Sequence, residues 1–419
     1  MKVRTLIRCA TTGALALSMG GATLVAQQPT QPVPTPARYD GGYLVFQSAD
    51  SSFRYWLDGR LQIDGAIYTG SKNELANGTE VRRARLGGKA TLYNSWHAEL
   101  DIDFTKNAVD MKDMWLGYEG FKNSMIKIGN YKEPFSLETL TSSKYITFME
   151  RSYIDNFSPD RSIALGYVRW GNSWQVAVGA FGQPVGSVDA SGRDEGHAFT
   201  GRFTFAPMHS EGRILHLGVG LSMRTPNGDP APDTNTVRYR ARPETNVSQA
   251  RFLTTGKIRN VEHTSLYNGE FSMVRGPLTL QAEYTQADVN RLISLPTASF
   301  NGYYVSASYF LTGESRPYIV QEGEYDRVIP KSSRGAWEIA ARYSTMDLND
   351  THTNVNINGG KGTNYTLGLN WHMNANFKWM LNYVYVVNDD NAKPDLGPVT
   401  PFTTGDKFSI IQTRFSVAF

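Results

Sequence analysis

From Phe53 onward apolar and polar residues alternate with a period of two, and the polar face is charged rather than merely hydrophilic. In FRYWLDGRLQIDGAIY, Tyr55, Leu57, Leu61, Ile63 and Ile67 share one face, while Arg54, Asp58, Arg60, Gln62 and Asp64 share the other, which is the side-chain period of a β-strand. In VRRARLGGKATLY, Ala84, Leu86, Ala90 and Leu92 oppose Arg83, Arg85, Lys89 and Thr91. In WHAELDIDFT, Trp96, Ala98, Leu100, Ile102 and Phe104 oppose His97, Glu99, Asp101 and Asp103. A soluble sandwich or barrel buries its inner face, and unpaired Arg, Asp or Glu there would be strongly unfavourable. The apolar face therefore belongs outside, against lipid, and the charged face lines water, as in a transmembrane β-barrel. A sandwich with wet outer faces gives the same alternation strand by strand, so other signals must separate the two.

The chain ends supply them. MKVRTLIRCATTGALALSMGGATLVAQQ carries Lys2, Arg4 and Arg8 ahead of an apolar run from Gly13 to Ala26, the pattern of a secretory signal peptide with cleavage expected after Ala26. The run is Gly-broken and shorter than the ~20 residues of a membrane-spanning helix. Cys9 leaves with this segment, so the exported chain needs no disulfide. Removal of residues 1–26 leaves 39 Lys and Arg against 39 Asp and Glu. A formally neutral chain has no net-charge bias toward any solute, so selectivity must come from where charges sit. The Pro-rich segment QQPTQPVPTPARYDGG reads as an extended lead-in, placing the boundaries at 1–26, 27–52 and 53–419. The final strand, KFSIIQTRFSVAF, alternates into a terminal Phe419 with Ile411, Phe415 and Val417 on the same face, which resembles the C-terminal strand of outer-membrane barrels.

Composition agrees. Aromatics are 12%, Gly numbers 39 and charged residues are only 19%, which suits strands and turns, while a mean hydropathy of −0.38 excludes a helical membrane bundle. The pattern predicts strands near 53–68, 81–92, 96–105, 111–119, 125–131, 161–170, 173–182, 197–206, 213–224, 263–275, 277–288, 301–311, 334–347, 362–373, 376–388 and 406–419. Sixteen is an even number, and tight turns (YNS, FKNS, GNS, RGP, MNAN) alternate with long connections, as in outer-membrane barrels. The connection 312–333 breaks this rule by being long where a tight turn is expected. The expected fold is thus all-β: a 16-stranded antiparallel transmembrane β-barrel.

A lumen of that width is aqueous, so its lining decides what passes. If residues whose numbers sum to 188 stand opposite across the YNS turn, Lys89 faces Glu99 and Arg85 faces Asp103, which is also what simple cross-strand charge pairing would give. Arg54, Arg60, Arg83, Arg85, Lys89, Arg202, Arg342 and Arg414 all fall on the inward face, and a row of guanidiniums suits phosphate-like anions. One stretch breaks the alternation: KEPFSLETLTSSKYITFMERS, within the long connection 132–160. Its Phe135, Leu137, Leu140, Tyr145, Ile146, Phe148 and Met149 carry too much apolar surface for a loop waving in solvent. They point to an inward-folded constriction loop presenting Thr141, Ser142, Ser143 and Lys144 to the channel.

The same stretch resembles a motif of the phosphate-selective porin O and P family of Gram-negative outer membranes. So do RRARLGGKA, SYFLTGESRPYIVQEGEYDRVIPK, GAWEIAARYSTMDL and TLGLNWHMNANFKWMLNYVYV, from about Arg82 to the C-terminus. The resemblance implies a homotrimeric sixteen-stranded channel in outer-membrane lipid that passes inorganic phosphate, polyphosphate or other small anions. It makes Lys144 the central anion-selecting lysine, with Asp113 of KDMWLGYE as a modulating lumen aspartate and Arg83 and Arg85 as part of an arginine ladder. It also accounts for the connection 312–333, its LTGE region.

Rival readings are a general diffusion porin with a transverse field, a plugged structural barrel and an outer-membrane hydrolase. No GxSxG, HExxH or CxxC occurs and the histidines lack metal spacing, so neither enzyme activity nor a cofactor nor a metal is expected, and no nucleic-acid partner. NGGKGT at 358–363, read as loop, lacks the full phosphate-loop pattern. Glu99, Asp101 and Asp103 could in principle take calcium, but carboxylates alternating opposite cations are the commoner case.

Overall fold

The computed structural model describes residues 37–105, 108–186, 195–227, 235–292, 295–352, 355–395 and 402–419. The expected leader at 1–26 lies outside the described residues. Among them, sixteen antiparallel strands close into a barrel: Phe53–Thr69, Gly78–Leu92, Trp96–Asp103, Asp110–Phe121, Ser124–Lys132, Arg161–Trp170, Trp174–Phe181, Ala198–Ser210, Arg213–Arg224, Val261–Arg275, Leu278–Arg291, Ala298–Phe310, Ala336–Asp350, Ile357–His372, Phe377–Asn388 and Lys407–Ala418. The last strand pairs with the first, Arg414 opposite Asp64 and Ile411 opposite Ile67, so no edge is left unpaired between them. Segment 358–363, read as loop, lies within a strand, with Lys361 across from Asp347.

Side chains follow the alternation. Leu61, Ile63, Ile67 and Leu86 stand exposed on the outer surface, whereas Asp58, Arg60, Gln62, Asp64 and Arg83 are buried inside. Aromatic pairs gather at the short-turn rim on the outer face: Phe53 with Tyr93, Trp96 with Tyr118, Trp337 with Trp371 and Phe377 with Phe415. That is the belt an interfacial membrane layer favours. Within the lead-in, Ala37–Asp40 and Tyr43–Gln47 form a hairpin whose second strand pairs with Phe53–Thr69 at the short-turn end.

Three connections pack against the inner wall. Loop 133–160 buries Phe135, Leu137, Ile146, Phe148 and Met149. Its short helix Leu137–Leu140 starts at Ser136, where the wall carboxylate of Glu283 accepts bonds from the Ser136 hydroxyl (2.7 Å) and from the backbone N–H groups of Leu137 (3.1 Å) and Glu138 (2.8 Å). The loop's far side is fixed by Asn370 and Lys378, which donate to the carbonyls of Thr147 (2.8 Å) and Ile146 (2.9 Å). Wall glycine Gly220 makes room for it, since a Cβ there would lie 2.1 Å from the Phe135 carbonyl oxygen. Segment 235–260, also from the long-loop end, seats Tyr239, Ala241 and Leu253 in one apolar cluster with the wall residues Ala287, Val289 and Phe300. The loops thus meet the inner wall both through apolar contacts and through buried charged groups such as Glu283 and Lys378. The exceptional connection 311–335 enters from the short-turn end, carrying a small hairpin of Tyr318–Ile319 and Glu324–Tyr325.

Two substitutions test this arrangement. Leu86→Arg, at the centre of its strand on the lipid face, is expected to destabilise the barrel by about 2–4 kcal/mol in denaturant titrations in vesicles; an unchanged midpoint would place that face in water. Gly220→Val is expected to leave the barrel assembled but unseat loop 133–160, making it cleavable by trypsin at Lys144 or Arg151, where the wild type is protected.

Candidate functional site

The inner wall around loop 133–160 is built by strand pairing and one irregularity. Lys89 lies opposite Glu99 and Arg85 opposite Asp103, the register read from the sequence, with ion-pair distances of 3.3 and 2.8 Å. Arg85 also reaches Asp101 at 3.3 Å, as does Arg60. Glu99, Asp101 and Asp103 are thus engaged with cations. A β-bulge between Gln62/Arg83 and Ile63/Val81 inserts Arg82 as an extra residue. Arg82 and Arg83 therefore both face inward, which strict alternation forbids. Arg82 grips Glu150 of the loop through two bonds of 2.8 and 2.9 Å, and Arg414 holds Asp64 and Glu150 at 2.6 Å each. Burial works to raise the Glu150 carboxyl, but Arg82, Arg414 and Arg83 outweigh it and hold it well below its ordinary value. Arg83 itself donates to Gln62 at 2.8 Å and has no carboxylate within ion-pair distance among the described residues.

The loop residues divide. Lys144 does not stand alone in water: its Nζ lies 2.6 Å from Asp58, with the rings of Tyr43 and Tyr145 beside it. Burial pushes this ammonium down to about 8, the Asp58 carboxylate opposing the shift. Ser143 Oγ accepts from Arg60 at 3.0 Å and Ser142 Oγ at 3.4 Å. Because both oxygens act as acceptors, their hydroxyl hydrogens stay available to a solute. Thr141 is buried away from this surface, its carbonyl taken by Arg151 at 2.8 Å. Asp113 is engaged by Arg161 at 2.6 Å.

Arg342 faces inward as read, yet lines neither cavity described below. It clamps Glu138 (3.0 Å), the Glu150 carbonyl (2.9 Å) and Glu244 (2.5 Å), tying both long loops to the wall. Arg202 is likewise enclosed, paired with Glu270 at 2.7 Å beneath Gly323 of the connection 311–335.

Two cavities flank the loop. The inner one, about 540 Å³, is lined by eleven cations and seven carboxylates, among them Arg60, Arg83, Arg85, Lys89, Asp113 and Lys144, with Ser142 and Ser143. The other, about 380 Å³, is lined by seven arginines and three carboxylates. Arg238, Arg240, Arg242 and Arg251 there come from segment 235–260 and escaped the sequence reading. VRYRARP carried the signal: Arg238, Arg240 and Arg242 alternate with Val237, Tyr239 and Ala241, whose apolar side chains pack against the wall cluster. Arg83 and Arg151 line both cavities, so guanidiniums run from one to the other. A chain with 42 Lys and Arg against 39 Asp and Glu thus concentrates cations along its interior cavities.

Known proteins share this architecture. The chain is 28% identical to Porin O of Pseudomonas aeruginosa over 90% of its own length and 92% of that relative. It is 30% identical to an uncharacterised protein of Caulobacter vibrioides, covering 92% and 78%. Among solved structures, an anion-selective porin from Comamonas acidovorans superimposes with a TM-score of 0.55 at 13% identity, covering 88% of this chain and all of that one. The outer-membrane protein OmpT of Vibrio cholerae in its trimer form gives 0.54 at 11% identity, with the same coverage. Such distant likeness supports the barrel fold alone, but the family profile described as "Phosphate-selective porin O and P" matches residues 56–419. The chain belongs to the phosphate-selective porin O and P family of outer-membrane β-barrels.

Proposed function

We propose that this barrel is a water-filled, anion-selective channel of the outer membrane that conducts phosphate-type oxyanions, acting as a transporting pore rather than an enzyme. The observation that carries the reading is the run of cations through the two cavities joined at Arg83 and Arg151. A guanidinium offers an oxyanion paired hydrogen bonds in a fixed plane. Several such sites in sequence, each weakened by a nearby carboxylate, allow capture and release in turn. Arg83, lacking a carboxylate partner among the described residues, is the strongest single attractor; Arg60, Arg85 and Lys89 are moderated by Asp101, Asp103 and Glu99. At the loop, Lys144 supplies charge, Asp58 limits its grip, and Ser142 and Ser143 donate their hydroxyls. The trimeric relative and the family resemblance support a homotrimer in which each barrel conducts.

Reconstituted in planar bilayers under a KCl gradient, the wild type is expected to give a zero-current potential of anion sign and a chloride current that phosphate inhibits. Cation preference or absence of phosphate inhibition would defeat the proposal. Lys144→Glu replaces one cation by an anion, and since a unit charge at ~4 Å in water is worth about 1 kcal/mol, the anion-to-cation permeability ratio is expected to fall at least about tenfold. An unchanged ratio would remove Lys144 from selection.

The lowered Lys144 value sets a pH dependence. Its ammonium is charged below about 8 and neutral above it, so its share of the selectivity is expected to fade between pH 7 and 9. Lys144→Arg, which stays charged, is expected to remove that part of the decline; identical pH profiles for the two channels would contradict the assignment.

A further inference from the structure

The connection 311–335 brings Glu322 and Glu324 into the inner cavity at the tip of its hairpin. The tip is held firmly. Gly323 O accepts from Arg202 at 2.8 Å, Gln321 O accepts from Gln175 at 3.3 Å, and the Tyr318 hydroxyl lies 2.5 Å from His216 Nδ1. Facing the tip across the cavity are Lys89 and Lys127 of the wall. Lys127 rests on the rings of Trp115 (3.7 Å) and Tyr131 (4.3 Å) without a carboxylate in ion-pair reach among the described residues. The side-chain carboxylates of Glu322 and Glu324 also lack any hydrogen bond or ion pair among the described residues. The opposed charges are thus close enough to feel one another, yet too far apart to touch. Burial raises the half-buried Glu324 carboxyl to about 8, with Glu322 adding to it and Lys132, Arg202 and Lys89 opposing it, so at neutral pH the exposed Glu322 carries most of the charge of the tip and Glu324 the shared proton. Arg327, only 5% exposed, also lines the cavity, its guanidinium over the Tyr43 ring at 4.2 Å and without a carboxylate in ion-pair reach among the described residues.

A bare anion entering this gap is drawn by the lysines and repelled by the tip. A bare cation meets the reverse. A solute with an oxyanion at one end and an ammonium at the other gains from both walls. We propose, resting on the anion-channel reading above, that this cavity is a selectivity site for phosphorylated amines, the phosphoryl group on Lys89 and Lys127 and the ammonium on Glu322 and Glu324. The hairpin then acts against plain anions as well as for dipolar ones, which is how a pore discriminates among solutes that share one charged group.

The test compares inhibition of chloride current by inorganic phosphate, O-phosphorylethanolamine and 2-hydroxyethyl phosphate, the last carrying a hydroxyl in place of the ammonium. In the wild type, the phosphorylated amine is expected to reach half-inhibition at a concentration up to about fivefold lower than the hydroxyl analogue, the advantage of one solvent-exposed ion pair. In Glu322→Gln/Glu324→Gln the two organic phosphates are expected to become equivalent, with inorganic phosphate inhibiting at least as well as in the wild type. Neither carboxylate is engaged in the fold, and Glu322→Gln alone is expected to move in the same direction. Equal potency of the two organic phosphates on the wild type, or a difference that survives the double substitution, would overturn the proposal. Failure of inorganic phosphate to inhibit the wild type would overturn the anion-channel reading and this site with it.

Discussion

An ionised side chain on the inner wall of a barrel needs either a partner of opposite charge or water, because leaving it with neither costs several kcal/mol. That requirement sorts the interior of this protein into two kinds of place. Where carboxylates meet guanidiniums under full enclosure, as at Arg342 with Glu138 and Glu244 or Arg414 with Asp64 and Glu150, the charges fasten loops to the wall. Where cations outnumber carboxylates, the structure keeps cavities open and the excess charge is wet. The clamps are why a barrel of sixteen strands does not leave a featureless hole, and the wet cations are why what remains favours anions.

The two kinds of place depend on one another. Glu150 is drawn to the wall by Arg82 and Arg414, and that pull sets the position of the loop on which Ser142, Ser143 and Lys144 ride. Glu283 does the same from the opposite wall by taking the free N–H groups at the start of the loop's short helix. Placement of the conducting surface therefore rests on two carboxylates, Glu150 and Glu283, that are occupied in anchoring the loop. The connection 311–335 adds a third insert from the other end, and its acidic tip gives the inner cavity a negative wall facing its positive one.

Much of this was legible in the sequence because a strand exposes its two faces by simple alternation. Strand spans and the pairing of Lys89 with Glu99 and of Arg85 with Asp103 follow from period and turn position, and the burial of the apolar residues of loop 133–160 from their number in a stretch without that period. What escaped has specific causes. Arg82 was missed because a bulge breaks the period it was judged by. Asp58 could not be named as the partner of Lys144 because their contact spans 86 positions and depends on how the loop folds back. Arg342 was placed on the correct face, but facing inward is not the same as facing water once loops cover that wall. The arginines of segment 235–260 lay in a connection counted only by length, although their alternation with Val237, Tyr239 and Ala241 marked a ribbon with one face pressed to the wall. The hairpin at 37–47 escaped because its Pro-rich surroundings masked a turn signal that was present: its two-residue loop is Gly41-Gly42, both at positive φ.

The central claim is that uncompensated cations along the joined cavities hold anions. Crystals soaked separately in bromide and in rubidium, with anomalous diffraction recorded for each, test it without reference to transport. Bromide peaks are expected beside Arg83 and the arginines at 238–251, with no rubidium there. Rubidium peaks along that wall, or bromide scattered without regard to it, would contradict it.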